Sequence, residues 1–114
     1  MAAVYVSNII INSGTNFSQT FTLEGADNNS PLILTGYTVS AQIRKYQGSS
    51  TAINFTTSIV QPPTLGKIII SLSSEQTTTI KPGRYLYDIL LTDSYSIKSR
   101  VVEGSVLVRE GVTR

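Results

Sequence analysis

Apolar and polar residues alternate with a period of two along most of this chain, the signature of β-strands that bury one face. Between Asn16 and Leu23, Phe17, Phe21 and Leu23 share one side while Ser18, Thr20 and Thr22 take the other. Tyr37, Val39, Ala41 and Ile43 alternate with Thr38, Ser40, Gln42 and Arg44. Ile53, Phe55 and Ile59 share a parity, as do Ile68, Ile70 and Leu72. The longest apolar face is Tyr85, Tyr87, Ile89 and Leu91. The runs Ile9–Ile11 and Ser105–Arg109 add a strand near each end.

Turn residues fall between these runs. The stretches 25–31, 47–50, 62–66, 81–83 and 92–96 are rich in Gly, Pro, Asn, Asp and Ser, which favour turns by φ restriction or local hydrogen bonding. Seven or eight short strands with regular turns predict an all-β sandwich or barrel. One segment departs from the period. Ser73 to Ile80 opens with a capping serine, followed by Glu75 and Gln76. It predicts a single helical turn near 74–79 that crosses from one sheet to the other. Three threonines and Pro82 keep it short.

Composition narrows the chemistry. With 114 residues the chain has the length of one domain, taken as 1–114. It has no cysteine and no histidine. That removes disulfides, thiolate metal ligands, the commonest general base and the usual pH switch. Net charge is +2, and charged residues make up only 14% of the chain. The basic residues are scattered along the sequence, so no nucleic-acid surface is expected. A surface rich in uncharged Ser, Thr and Asn packs against other protein at little desolvation cost. The first residues lack a basic, apolar leader, and no stretch reaches the ~20 apolar residues that span a bilayer. Cytoplasmic synthesis without secretion, and no membrane association, are expected. On that expectation the glycosylation-type triplets at 16–18 and 54–56 are ordinary strand residues.

No catalytic set emerges, and no cofactor or metal is expected. Serines are abundant, but no histidine can deprotonate one. The loop Asp27–Ser30 offers oxygen ligands without the acid spacing of a calcium loop. Among the carboxylates, Asp88 stands out, in mid-strand on the face opposite the tyrosines. It has two readings: an exposed ion pair with Arg44 or Arg100 on a neighbouring strand, or an ion pair at an interface. Tyr85 and Tyr87 read as core. Tyr5 and Tyr95, near the N-terminus and in a turn, are the better candidates for anchoring a partner. The runs 4–12 and 105–114 are the expected inter-subunit segments, as exposed edge strands. Candidate interface residues are therefore Tyr5, Val6, Ile9, Asp88, Tyr95, Val108, Arg109 and Arg114.

The segment Pro82-Gly83-Arg84-Tyr85-Leu86-Tyr87-Asp88 carries a more specific signal. In immunoglobulin-like sandwiches a tyrosine near the start of the sixth strand hydrogen-bonds back across the preceding corner, two residues before a core position. Pro82, Gly83, Tyr85 and Tyr87 fit that corner, with Tyr87 at the position that is cysteine in antibody domains. The longer pattern comprises Leu34-Thr35-Gly36-Tyr37, Gln42-Ile43-Arg44, Gly66-Lys67-Ile68, Leu72 to Thr77, Gly83 to Ile89 and Arg100 to Val106. It closes on Val112-Thr113-Arg114 and resembles a family of small Ig-like domains found in tailed-phage structural proteins. The resemblance implies an Ig-like antiparallel β-sandwich of seven or eight strands in a non-enzymatic virion protein. The location it implies is tail, baseplate or fibre attachment, with other virion proteins and further copies of itself as partners. A capsid decoration protein and a carbohydrate-binding or adhesin module are the alternatives. The matching positions are architectural, so the resemblance transfers no functional residue.

Overall fold

The alternation resolves into two sheets facing across one core. A computed structural model describes residues 5–24, 33–46, 48 and 52–111. Among these, nine strands are β1 (Tyr5–Val6), β2 (Ile9–Asn12), β3 (Phe17–Thr22), β4 (Thr38–Arg44), β5 (Ala52–Asn54), β6 (Thr56–Ile59), β7 (Lys67–Leu72), β8 (Gly83–Thr92) and β9 (Lys98–Arg109). The larger sheet runs β1-β9-β8-β4-β5, with β2 also on β9, and the smaller runs β3-β7-β6. This is an Ig-like sandwich. Its pairings are antiparallel except where β1 and β2 lie parallel to β9. Tyr5 faces Val102 and Ile9 faces Val106, so β1 and β2 keep one register and form two halves of one edge strand. The loop 25–31, with its Asp27–Ser30 oxygens, lies outside the described residues.

Inward parity fills the core as the sequence predicts. Leu23, Ala41, Ile43, Phe55, Ile68, Ile70, Leu72, Tyr87, Ile89 and Leu91 are all buried, and Phe17, Phe21, Tyr37, Val39, Ile53, Ile59 and Tyr85 pack against them. Phe55 sits where the chain leaves β5 for β6 in the other sheet, and its N–H donates to the Ala41 carbonyl at 3.0 Å. Its ring lies 6.0 Å from Phe17 and 6.3 Å from Tyr87, the latter edge-on, so one aromatic ties both sheets together.

The predicted helical turn is α1 (Ser74–Thr78), on the crossing from β7 to β8. Ser73 Oγ accepts from the Gln76 N–H, and Gln76 Oε1 accepts from the Ser73 N–H, a reciprocal cap that satisfies two donors left over by the turn. Thr77, buried, donates to the Thr15 carbonyl at 2.8 Å and accepts from the Gly14 N–H at 3.1 Å, fastening the turn to the loop after β2.

The tyrosine corner is present. Tyr85 Oη donates to the Lys81 carbonyl at 2.6 Å. Gly83 stands at φ +144, where a side chain is strained. Lys45 closes over this corner, its Nζ 4.7 Å from the Tyr85 ring centre and donating to the Arg84 carbonyl at 3.0 Å.

Tyr87, two residues on, fastens the N-terminal edge strand. Its Oη donates to the Ser7 carbonyl at 2.6 Å. Ser7 N–H donates to the Glu103 carbonyl, and Asn8 Oδ1 accepts from the Ser105 N–H at 3.0 Å. The link between β1 and β2 thus bends in over Gly104, which lies opposite Tyr87. A Cβ on Gly104 would collide with the Ser7 carbonyl oxygen and lie 2.8 Å from its carbon. Burial, the larger cause, pushes the Tyr87 phenol above the ordinary tyrosine value, and a side-chain hydrogen bond with Ser7 acts the other way.

Two outcomes follow from this joint. Gly104→Ala forces backbone apart and lowers stability by about 1–3 kcal/mol, read from urea unfolding. Tyr87→Phe leaves the Ser7 carbonyl without its donor and costs about 1 kcal/mol near neutral pH. The neutral phenol is the form the fold favours. Its contribution is complete below the unfolded tyrosine value of about 10 and is lost as pH rises through the higher folded value. Stability of the native chain therefore falls more steeply above pH ~10 than that of Tyr87→Phe. Equal slopes in alkaline unfolding titrations would contradict this origin.

Candidate functional site

With one parity committed to the core, the other parity of the larger sheet forms a face built by register. Val6, Glu103, Asp88, Gln42 and Asn54 stand side by side across the sheet. The next row is Ser105, Leu86, Arg44 and Ala52, and beyond it lie Ile10, Leu107 and Arg84. On the other flank Arg100, Leu90 and Ser40 align. An irregularity in β9 between the partners of Ile89 and Leu90 buries both Val101 and Val102 and so returns Arg100 to the outward side.

Polar contacts organise the middle of the face. Arg100 Nε lies 3.2 Å from Asp88 Oδ2. Arg44 Nη2 donates to Gln42 Oε1 at 3.0 Å, and Gln42 Nε2 donates to Asn54 Oδ1 at 2.8 Å. Asp88 and Glu103 lie directly opposite each other, a like-charge pairing that the Arg100 guanidinium offsets. Aliphatic side chains surround this network. Val6 is 76% exposed, Ile10 53% and Leu86 39%, with Leu90 and Leu107 half-buried beside them. The smaller sheet shows a different outward surface: Ser18, Thr20, Thr22, Thr56, Ser58 and Ser71, with Ile69 and Lys67. Val6, Ile10 and Leu86 share this face, whereas the other exposed aliphatics among the described residues, Ile33, Leu65 and Ile97, lie outside the strands of both sheets.

The expected interface residues divide by parity and by strand position. Val6, Asp88 and Arg109 lie on this face, and Asp88 pairs with Arg100 rather than Arg44. Ile9 and Val108 do not: both are buried, because they carry the inward parity of β2 and β9. In the run 105–114, the β9 portion through Arg109 is not an edge, since β9 lies between β8 and the N-terminal strands that cover its other side, and residues 112–114 lie outside the described residues. The edge position belongs to the N-terminal segment. Tyr95 is 85% exposed at the tip of the β8–β9 hairpin. There Asp93 Oδ1 accepts from the Tyr95 and Ile97 N–H groups at 2.8 and 3.0 Å, which fixes the tip. The Tyr5 side chain and Arg114 lie outside the described residues. Tyr85 and Tyr87 are structural, as expected.

Leu86, Leu90, Leu107 and Ile10 are site residues that strict alternation passes over. Their signal is the failure of alternation itself: Leu86, Leu90 and Leu107 place an aliphatic on the parity where a polar residue belongs, and Ile10 does so inside Ile9–Ile11. Five of the eight described basic residues, scattered in sequence, are also gathered by register. Arg44, Arg84, Arg100 and Arg109, with Lys98, all point outward from this sheet.

No family model matches the chain, and no curated protein does. Three solved structures align with it. The SrpA adhesin of Streptococcus sanguinis aligns over 96% of this chain and 57% of its own, at 10% identity and a TM-score of 0.54. An internalin-like protein of Listeria monocytogenes aligns over 95% of this chain and 28% of its own, at 14% identity and a TM-score of 0.42. AggA, the major subunit of aggregative adherence fimbriae type I of Escherichia coli, aligns over 97% and 92%, at 7% identity and a TM-score of 0.37. This chain therefore spans little more than a quarter of the internalin-like structure and just over half of the SrpA structure. At 10% identity the SrpA likeness shows the β-sandwich fold and nothing finer.

Because the Arg100–Asp88 pair is open to solvent, Asp88→Asn changes unfolding stability by less than about 1 kcal/mol. The difference shrinks further in 1 M salt, where screening acts over roughly 3 Å. A larger, salt-independent loss would make the pair a structural element instead.

Proposed function

We propose that this chain is a non-enzymatic structural module that is built into a larger particle through protein–protein contacts. The observation that carries this reading is the outward aliphatic face of the larger sheet, Val6, Ile10, Leu86, Leu90 and Leu107 around the Asp88–Arg100 pair. Left in water, those side chains forgo burial worth roughly 25 cal/mol per Å². The face holds a solvent-open depression of about 630 Å³ lined by Val6, Leu86, Asp88 and Arg100 among others, and its aliphatic and charged lining suits another protein surface. The sandwich likeness to adhesin structures agrees with a binding or building role.

The particle we propose is a tailed-phage virion, with the chain in a tail, baseplate or fibre-attachment region alongside other virion proteins. The support is the sequence resemblance to small Ig-like phage domains, whose corner segment Pro82–Asp88 folds here with the Tyr85–Lys81 bond. Many copies on a symmetric particle multiply modest contacts by avidity.

Mass spectrometry of purified particles from the source of this gene tests the proposal. The native chain is expected at fixed stoichiometry, and Leu86→Asp, which places a charge in the aliphatic face, is expected to be lost from particles while it folds normally in isolation. Absence of the native chain from particles would remove the virion reading. Normal incorporation of Leu86→Asp would remove the docking face.

A further inference from the structure

Every described arginine, Arg44, Arg84, Arg100 and Arg109, lies on the outward face of the larger sheet, on strands β4, β8 and β9. The remaining described lysines are placed elsewhere: Lys45 over the tyrosine corner, Lys67 on the smaller sheet and Lys81 in the loop before β8. Lys98 alone among the described lysines shares the face. Arginine presents a planar fork of donors matched to carboxylates, holds its charge in drier surroundings and is enriched at protein interfaces where lysine is depleted.

Resting on the reading of this sheet as the docking face, we propose that its partner is an acidic protein surface, one that sets carboxylates among apolar side chains. Charge selects the occupant. Among the described residues the face carries five cationic side chains, the four arginines and Lys98, against two carboxylates, Asp88 and Glu103. A second copy of the same face would meet its own excess of positive charge, which penalises self-pairing. A nucleic acid gains most from an unbroken cationic track. Here Asp88 and Glu103 stand opposite each other in the middle of the face and would repel phosphates. Val6, Ile10 and Leu86 would give a polyphosphate or polysulfate nothing to bury, whereas an acidic protein with apolar side chains uses both halves of the surface. Arg84 and Arg109, toward one end of the face, then grip carboxylates, while Leu86 sits near the centre.

The test uses the full chain, immobilised, with four soluble probes: a random copolymer of glutamate and tyrosine, polyglutamate, heparin and duplex DNA. The copolymer is expected to bind about tenfold tighter per charge than polyglutamate, heparin or DNA. Its affinity should fall at least about tenfold between 50 and 500 mM salt. Arg84→Ala and Arg109→Ala should each weaken it about threefold or more, and Arg84→Lys should not restore the loss. Leu86→Ser, which leaves charge unchanged, should weaken the copolymer by a similar factor and leave heparin unaffected. Thermal unfolding of each variant separates lost binding from lost fold. Absent copolymer binding, tighter binding of heparin or DNA, or a copolymer affinity indifferent to Leu86→Ser would each overturn the acidic partner. If that happens while Leu86→Asp is still excluded from particles, the docking face stands and only its chemistry is wrong.

Discussion

A strand in a sandwich gives alternate side chains to the core and to solvent, and a slip of one residue exchanges the two sets. That constraint governs this molecule. The inward set, from Leu23 through Val108, leaves no ambiguity about register, because a slip would bring Asp88 and Arg100 into the core in place of Ile89 and Val101. Once the inward set is fixed, the outward set is fixed as well. The gathering of arginines and aliphatics on one face is thus a consequence of the same pairing that builds the core.

The joint between the N-terminal strand and β9 extends this logic to the edge of the sheet. Tyr87 spends its ring on the core and its hydroxyl on the Ser7 carbonyl. Gly104 makes room for that carbonyl. Together they hold Val6 and Ile10 on the outward side of an edge strand that would otherwise fray. Tyr85 does comparable work at the other end of the same short segment, closing the corner before β8. Two tyrosines, two residues apart, therefore set both where β8 begins and what lies beside β9.

Much of the fold was legible in the sequence because strand parity and turn chemistry are local. Phe17 to Leu23, Tyr37 to Ile43 and Tyr85 to Leu91 each announce a buried face, and Ser73 with Gln76 announces the capped turn. The candidate face was legible only in part. Asp88 and Val6 stand out along the chain, but Ile9 and Val108 read as interface residues and are buried, because the parity of short terminal strands is weakly marked. Pairing partners are non-local. Nothing along the chain indicates that the first strand will lie parallel to the last, or that Arg44, Arg84, Arg100 and Arg109 from three separate strands will share one surface. The aliphatics at 86, 90 and 107 break the alternation, and that break is where function and fold part company.

Side-chain oxidative footprinting, compared between the isolated chain and intact particles, addresses the working surface directly. Protection of Leu86, Leu90, Leu107 and Ile10 on assembly, with Ile69 on the opposite sheet as labelled as in the free chain, is the result expected of a docking face on the larger sheet. Protection of Ile69 with Leu86 left open would contradict it and move the contact to the other side of the sandwich.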